Sequence, residues 1–535
     1  MLLLTEIKLP LDHLENELEA AVIKRLGIQA EDLLGYSIFK RSYDARKRNA
    51  IKLVYTLNVE IKREEDILRR KRKDARVRPS PDTSYKYVAK APSHLTTRPL
   101  VIGTGPCGMF TGLILAQMGY DPILIERGKI VRERTIDTFE FWRGRQLNPE
   151  SNVQFGEGGA GTFSDGKLHT QTKDREHRGR KVLTEYVEAG APEEILYISK
   201  PHIGTLKLVK IIENMRKKIE SLGGEFRFQN RLDDLLIEDG QVSGVILSSG
   251  EQIKSDHVVL AIGHSARDTF QMLFERGVAI EPKHFSIGLR IEHPQSLIDQ
   301  CQLGENAGHP ILGAADNKLV HHCSNGRSVY SFCMCPGGTV LAAASEYGTV
   351  VTNGMSQYSR SALNANSALV VEVTPRDYPG SPLAGIDFQR LWEQRAFELG
   401  GSTNDAPAQL VGDFLADRPS TTPGSVQPSY KPGVLLGDLS SSLPVYVIEA
   451  IREALPAFDK RLKGFVMDDA VLTGVETRTS SPIRIKRKED YQSVSIKGIY
   501  PAGEGSGYAG GILSSAVDGI KVAEAVALNF GHAIR

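Results

Sequence analysis

The spacing of apolar positions changes repeatedly along the chain, and each change marks an element. Leu4–Leu9 and Leu33–Lys40 are strand-like runs, and Ile51, Leu53, Tyr55, Leu57, Val59 and Ile61 alternate with mostly polar neighbours, which predicts a half-buried strand. Between the first two runs, Asp12 with Glu15 three positions on predicts a capping-box helix start, and Gly27 its end. The alternation then stops. Lys62–Arg78 carries nine Lys/Arg and four acids and leads into Pro79, Pro81 and Pro92, the chemistry of a linker. From Leu100 the pattern becomes short, unbroken apolar runs, the mark of strands covered on both faces. These are Leu100–Ile102, Ile123–Ile125, Val258–Ile262 and the run that begins at Ile499. Helical stretches are expected over Phe110–Met118, within Pro201–Leu222 and over Ile512–Leu528, while 266–492 is a mixture of short β-like runs.

The first unbroken run leads into Gly103-Thr-Gly105-Pro106-Cys-Gly108, then a helical stretch, then a second apolar run ending in Glu126-Arg127. Gly103 permits the tight turn, Gly105 lets a pyrophosphate approach the backbone, and Gly108 lets the helix lie close to the sheet. The helix N-terminus offers unpaired N–H groups to phosphate, and Glu126, about 20 residues on, suits ribose hydroxyls. The pattern predicts a dinucleotide site. Three later segments fit the same sheet. The stretch Gly156–Gly166, with Gly158, Gly159 and Gly161, lets backbone pass close to a flat ring. Ala261-Ile-Gly263 ends a buried strand, and Gly503-Glu504 precedes a helix that begins near Gly511-Ile512, where an acid suits ribityl hydroxyls and a helix dipole faces the cofactor.

Composition narrows the classes. With 66 Lys+Arg against 65 Asp+Glu, the chain as a whole is no polyanion binder. Five cysteines without a regular framework fit a reducing compartment. The start, Met-Leu-Leu-Leu-Thr-Glu-Ile-Lys, is charged too early for a signal peptide, and no apolar run is long enough to span a bilayer. A cytoplasmic protein without a membrane partner is expected.

The combination resembles the FAD-binding domain of glutathione-reductase-type flavoproteins. There the middle strand ends in an Ala-Thr-Gly-like motif, matched by Ala261-Ile262-Gly263, and the closing motif is Gly-Asp, here Gly503-Glu504 with one methylene more. The backbone at the position of Leu232 touches adenine in that family. Over nearly its whole length the chain also resembles bacterial proteins described as uncharacterised FAD-dependent dehydrogenases. That resemblance rests on Lys40-Arg-Ser-Tyr-Asp-Ala-Arg-Lys, Gly156–Lys167, Phe285-Ser-Ile-Gly-Leu-Arg-Ile-Glu-His-Pro, Ser331-Phe-Cys-Met-Cys-Pro-Gly-Gly, Asn353-Gly-Met-Ser and Thr477-Arg-Thr-Ser-Ser-Pro-Ile-Arg. It implies an α/β fold: a Rossmann-like FAD-binding domain in two parts (96–265 and 493–535), an inserted α+β substrate domain (266–492) and a small N-terminal α+β module with its basic linker (1–95).

No second glycine fingerprint follows an apolar strand in 266–492, so the expected cofactors are FAD and, as a transient reductant stacked at the flavin, NAD(P)H. The arrangement resembles the fumarate-reductase-like branch, in which the inserted domain presents a small, anionic substrate to the flavin. Arg290 and Arg478, with Arg360 behind them, are the candidate anion holders, because a planar fork gives two parallel charge-assisted bonds. His169 is a candidate acid or base, with His264 second to it. Cys333 and Cys335, near His321, His322 and Cys323, match no standard zinc spacing; they read as buried small hydrophobes, and no metal site is expected. The competing class is an RNA-associated or RNA-modifying flavoprotein that uses Lys40-Arg41, Arg46-Lys-Arg48 and the basic stretch up to Arg78.

Overall fold

The alternating stretch becomes Lys52–Ile61, an inner strand of a four-stranded antiparallel sheet ordered Leu33–Asp44, Lys52–Ile61, Leu2–Pro10, Val77–Pro79. In this computed structural model, which describes residues 1–170 and 174–531, Leu53, Tyr55, Leu57, Val59 and Ile61 all turn inward and are buried. The helix Glu15–Leu26 closes over them with Leu18, Val22 and Leu26, and Gly27 ends it in a left-handed conformation. Its start departs from expectation. Leu14 holds the cap position and no side chain caps the helix, so Asp12 and Glu15 form no capping box.

The basic stretch is also more than a linker. Glu64–Arg70 is a helix that buries Ile67, and Val77–Pro79 adds the fourth strand beside Leu2–Leu4. Two apolar anchors thus fold a segment whose composition is otherwise that of solvated chain. Arg46, Arg69 and Arg76 pair with Asp44, Asp66 and Asp74, so part of the basic charge is spent within the module, and the RNA reading gains no support.

The four unbroken apolar runs, with the half-buried Glu225–Arg227 added at one edge, form a five-stranded parallel sheet in the order Ile499–Pro501, Val258–Leu260, Leu100–Ile102, Ile123–Ile125, Glu225–Arg227. Each paired register is continuous across the three central residues. The helix Pro106–Gln117 is buried from Cys107 to Ala116, sandwiched against the C-terminal helix Ile512–Asn529, with the Thr111 hydroxyl donating to the Gly519 carbonyl at 3.1 Å. Arg132–Arg145, polar in sequence, holds a helix, Val131–Trp142, which buries Val131, Arg134, Thr138, Phe141 and Trp142.

The insertion is built on a seven-stranded sheet ordered Val320–His322, Ser328–Cys335, Asn364–Val373, Phe285–Pro294, Val471–Glu476, Ala406–Leu410, Val434–Leu436. All neighbours are antiparallel except the last pair. Where the chain enters and leaves the insertion, Ile280–Pro282 and Ile483–Ile485 run side by side as an antiparallel ribbon. Among the described residues, no helix is long and apolar enough to cross a membrane.

Candidate functional site

The turn after Leu100–Ile102 is fixed by steric necessity. Gly103 has φ 97°, and a Cβ there would lie 2.4 Å from the Ala261 carbonyl oxygen. At Gly108 a Cβ would fall 1.8 Å from the Gly103 carbonyl oxygen, so the helix sits directly on the turn that feeds it. Gly105 takes the N-cap position, Pro106 the first helical one, and no side chain caps the N-terminus. The first-turn N–H groups, which the helix itself cannot pair, face the cavity as an anion site.

Glu126, 5% exposed, ends the next strand. One carboxylate oxygen accepts hydrogen bonds from the Thr104 amide at 3.0 Å and hydroxyl at 2.8 Å; the other accepts from the Gly128 and Gly156 amides at 2.9 and 3.0 Å. It thereby locks three loops together at the cavity edge. Arg127 lies beside it, forked to Glu150 and Asp268, with its guanidinium carbon 4.1 Å from the centre of the Phe155 ring.

The glycine-rich segment is held from behind by a buried arginine that no sequence motif marks. Arg134 is fully buried and donates to the carbonyls of Asn152, Val153 and Glu157 at 2.8 Å each and to Gly156 at 3.3 Å. Burial pushes its guanidinium down to about 10. Nothing local signals this role; an arginine among the polar residues of Arg132–Arg145 looks solvated. Glu157 completes the support, accepting from the Val131 amide and from Arg216.

These elements enclose a cavity of about 430 Å³. From the FAD-type half it is lined by Gly103, Gly105, Pro106, Glu126, Arg127, Gly159, Gly161, Leu232, Ala261, Gly263, Gly503, Glu504, Gly511 and Ile512. Gly108 and Gly158 stand behind the wall; the Gly158 amide donates to the Thr104 carbonyl at 2.9 Å. The Gly503 turn is pinned by Asp518, which accepts from the Gly503 amide and is forked by Arg487. Burial pushes the Glu504 carboxyl up to about 7, and among the described residues nothing donates a hydrogen bond to it. The N-terminus of Ile512–Asn529, like that of the fingerprint helix, carries no side-chain cap.

The inserted domain contributes Phe332, Cys333, Asn353, Glu476, Arg478 and Thr479 to the same cavity. The two arginines divide here. Arg478 lines it, yet its fork is held by Glu393 at 3.1 and 2.9 Å and by the hydroxyls of Ser265 and Ser345. Arg290 does not reach the lining. It is wholly buried, forked to Glu476 at 2.9 and 2.7 Å, and bonded to Asn366 and to the Cys333 carbonyl. Its expected contact with substrate gives way to a structural one, because every face of the guanidinium already has a partner inside the sheet. Arg360 is likewise paired, with Asp165.

His169 is exposed at the rim, where burial on one side and the nearby Lys167 and Lys200 ammonium groups lower its pKa. Lys167 stands next to it, its ammonium donating to the Met334 carbonyl and 3.6 Å from Asp165. His264, also in the wall, is pushed down to about 3 by burial and by Arg478 and Arg267, and is therefore neutral. His321, the buried Cys323 and the exposed Glu453 come together, their ligand-type atoms within 4.8 Å of one another and apart from Cys333 and Cys335.

The cavity has the features an FAD needs. Two uncapped helix N-termini face it, its turn admits no β-carbon, and the half-buried Glu504 carboxyl lines it. Comparison with known proteins agrees. Residues 96–275 match the model of an FAD binding domain, residues 284–479 that of an FAD-dependent protein, C-terminal domain-like, and residues 1–60 a domain of unknown function (DUF8436). An uncharacterized protein of Clostridium beijerinckii is 49% identical over 98% of both chains. Among solved structures, an E. coli quinol fumarate reductase FrdA variant is 14% identical with a TM-score of 0.35, covering 81% of this chain and 70% of its own. The L-proline dehydrogenase of P. horikoshii is 13% identical with a TM-score of 0.34, covering 82% and 94%. The near-full-length relative and the two FAD-related models, not these distant likenesses, carry the assignment: the chain belongs to the family of FAD-dependent proteins that join an FAD-binding domain to this C-terminal domain.

Proposed function

We propose that this FAD-dependent oxidoreductase exchanges electrons with a small anionic molecule that enters between the FAD-binding half and the inserted domain. The carrying observation is that one cavity is walled by both: the fingerprint turn, Glu126 and Glu504 on one side, Phe332, Cys333, Arg478 and Thr479 on the other. When bound, FAD supplies two-electron chemistry, and the chain supplies orientation and charge.

In this reading Gly103, Gly105 and Pro106 take the pyrophosphate, and Gly108 behind them seats the helix that faces it. Glu126 and Arg127 frame the adenosine end, and Leu232 faces adenine. Gly159, Gly161, Ala261 and Gly263 let backbone approach the ring, with Gly158 behind them tying the segment to the fingerprint turn, while Glu504, Gly511 and Ile512 hold the ribityl side. The substrate anion meets Lys167 and His169 at the rim and Arg478 deeper in. Arg478 acts there as a fixed positive wall, because Glu393 already occupies its fork. NAD(P)H acts as a transient reductant at the same mouth. Five cysteines without a regular framework support a reducing, cytoplasmic setting.

The test is anaerobic mixing of the FAD-loaded protein with small hydroxy, amino and unsaturated dicarboxylic acids and with both nicotinamides, followed by flavin absorbance. Saturable reduction or reoxidation by a carboxylate, weakened at least tenfold in Lys167→Met with FAD content unchanged, supports the reading. Response to uncharged molecules alone overturns it.

A further inference from the structure

Two thiols lie at the end of a strand of the inserted domain, one of them, Cys333, in the wall of the cavity, and the backbone that carries them is irregular. Ser328–Cys335 pairs with Asn364–Val373 in regular register as far as Phe332, then slips by a bulge before Cys335. Within the bulge Cys333 has φ 44°, a conformation a residue with a β-carbon seldom adopts and one that clusters at functional sites. The distortion frees the pair from a plain strand, where residues two apart merely share a face. Cys335 is buried, and its sulfur turns back to the Cys333 carbonyl at 3.4 Å. Cys333 is half-buried and lines the cavity beside the exposed Phe332.

The surroundings are built around these two residues. A Cβ at Gly354 would lie 2.4 Å from the Arg290 guanidinium and from the Asn366 side chain and 3.0 Å from the Cys335 sulfur, so this glycine leaves room for all three groups behind the bulge. Lys167 donates to the carbonyl of Met334, the residue between the cysteines, and Arg290 donates to the carbonyl of Cys333 at 3.1 Å. Counting charges around the bulge, Arg290 faces Glu476 and Arg360 faces Asp165, which leaves Lys167 as the net cation. A thiolate is stabilised in such a place. The neighbouring Cys335 thiol, with Lys167 and Arg290 behind it, holds the Cys333 thiol well below its ordinary value, while the Cys333 thiol and burial push Cys335 up. A cysteine kept only for packing needs neither the strained bulge nor the cation.

We propose that Cys333 and Cys335 form a dithiol–disulfide pair that exchanges two electrons with FAD bound in the cavity, Cys333 as the thiolate that faces the flavin and Cys335 as its buried partner. In the oxidising direction the Cys335 S–H bond breaks and an S–S bond forms. Two electrons pass to FAD with the proton Cys335 releases, giving the singly protonated, two-electron-reduced flavin. The reverse step regenerates thiolate and thiol. The inference rests on the reading that FAD occupies this cavity, and it adds a second two-electron store in contact with the first.

The experiment uses the full-length, FAD-loaded chain. Flavin is first released and quantified, then the intact protein is titrated anaerobically with dithionite. The wild type takes up about four electrons per FAD, two for the flavin and two for the sulfur couple, whereas Cys333→Ser and Cys335→Ser each take up about two with FAD content retained. Alkylation and mass spectrometry of the oxidised wild type read the pair without any substitution. The peptide that holds both cysteines is expected intact as a disulfide and labelled at both only after reduction. A protein with full FAD that takes up two electrons, and whose two thiols alkylate in the oxidised state, overturns the pair and leaves the FAD reading standing. A chain that binds no FAD overturns both.

Discussion

Arg290 is held by Glu476 in a fully buried setting, and replacing it with methionine leaves that carboxylate without a counter-charge. Removing one partner of such a pair costs about 3–5 kcal/mol. Denaturant unfolding of Arg290→Met should show a loss of that order; an unchanged midpoint would remove Arg290 from the structural role given above. Glu504 supplies a pH test. Its carboxyl is raised to about 7 by burial, against an unfolded value of about 4.3, so the folded chain binds the proton more tightly. That contribution is fully present below pH 4 and is lost as the pH rises through 7. FAD-free Glu504→Gln should therefore match the wild type near pH 4 and exceed it by on the order of 1–3 kcal/mol at pH 8. A constant offset across that range would mean that Glu504 is not the raised acid described. At this scale the sequence was legible by residue type and silent on partners. Arginine suits an anion wherever it stands, but Glu476, 186 residues from Arg290, is what decides that this one serves the sheet.

The fingerprint turn is the element whose shape the sequence states outright, because each glycine answers a local contact. A methyl group at Gly108 meets the Gly103 carbonyl oxygen at 1.8 Å and must lift the helix from the turn. Overpacking of this kind costs about 1–3 kcal/mol. Gly108→Ala should keep its far-ultraviolet circular dichroism yet lose FAD on desalting, with at least a tenfold weaker hold; full retention of flavin would show that the turn tolerates the shift. The buried parallel strands were equally plain, since a run of apolar residues covered on both faces needs no distant information. Two elements were not. Val77–Pro79 is a strand only because Leu2–Leu4 offers it an edge. Val131–Trp142 hides its buried face behind charges, one of which, Arg134, is itself the buried group. Where a side chain's partner is backbone from another loop, as for Arg134, periodicity has nothing to register.

Across the whole molecule, the described chain contains one five-stranded parallel sheet of nucleotide-binding type, and the insertion is built on an antiparallel-dominated one. A nicotinamide that reduces the flavin is therefore expected at the mouth near Phe332 and Lys167. A crystal soaked with NADPH that shows the dinucleotide on a separate βαβ unit would refute this. The overall plan was readable because the fingerprint and the closing Gly503-Glu504 bracket everything between them. The ribbon of Ile280–Pro282 and Ile483–Ile485 was not, since neither strand has meaning without the other. That bracketing has a consequence for synthesis on the ribosome. The helix Pro106–Gln117, buried along nearly its whole length in the finished molecule, waits for Ile512–Asn529, about 400 residues later. At about 5–20 residues per second the wait is on the order of half a minute, during which an apolar helix lacks its cover and the flavin site lacks a wall. A chain halted inside the insertion therefore lacks both the cover of that helix and the Gly503-Glu504 wall of the cavity, and Ile499–Asn529 is the clasp that closes them together.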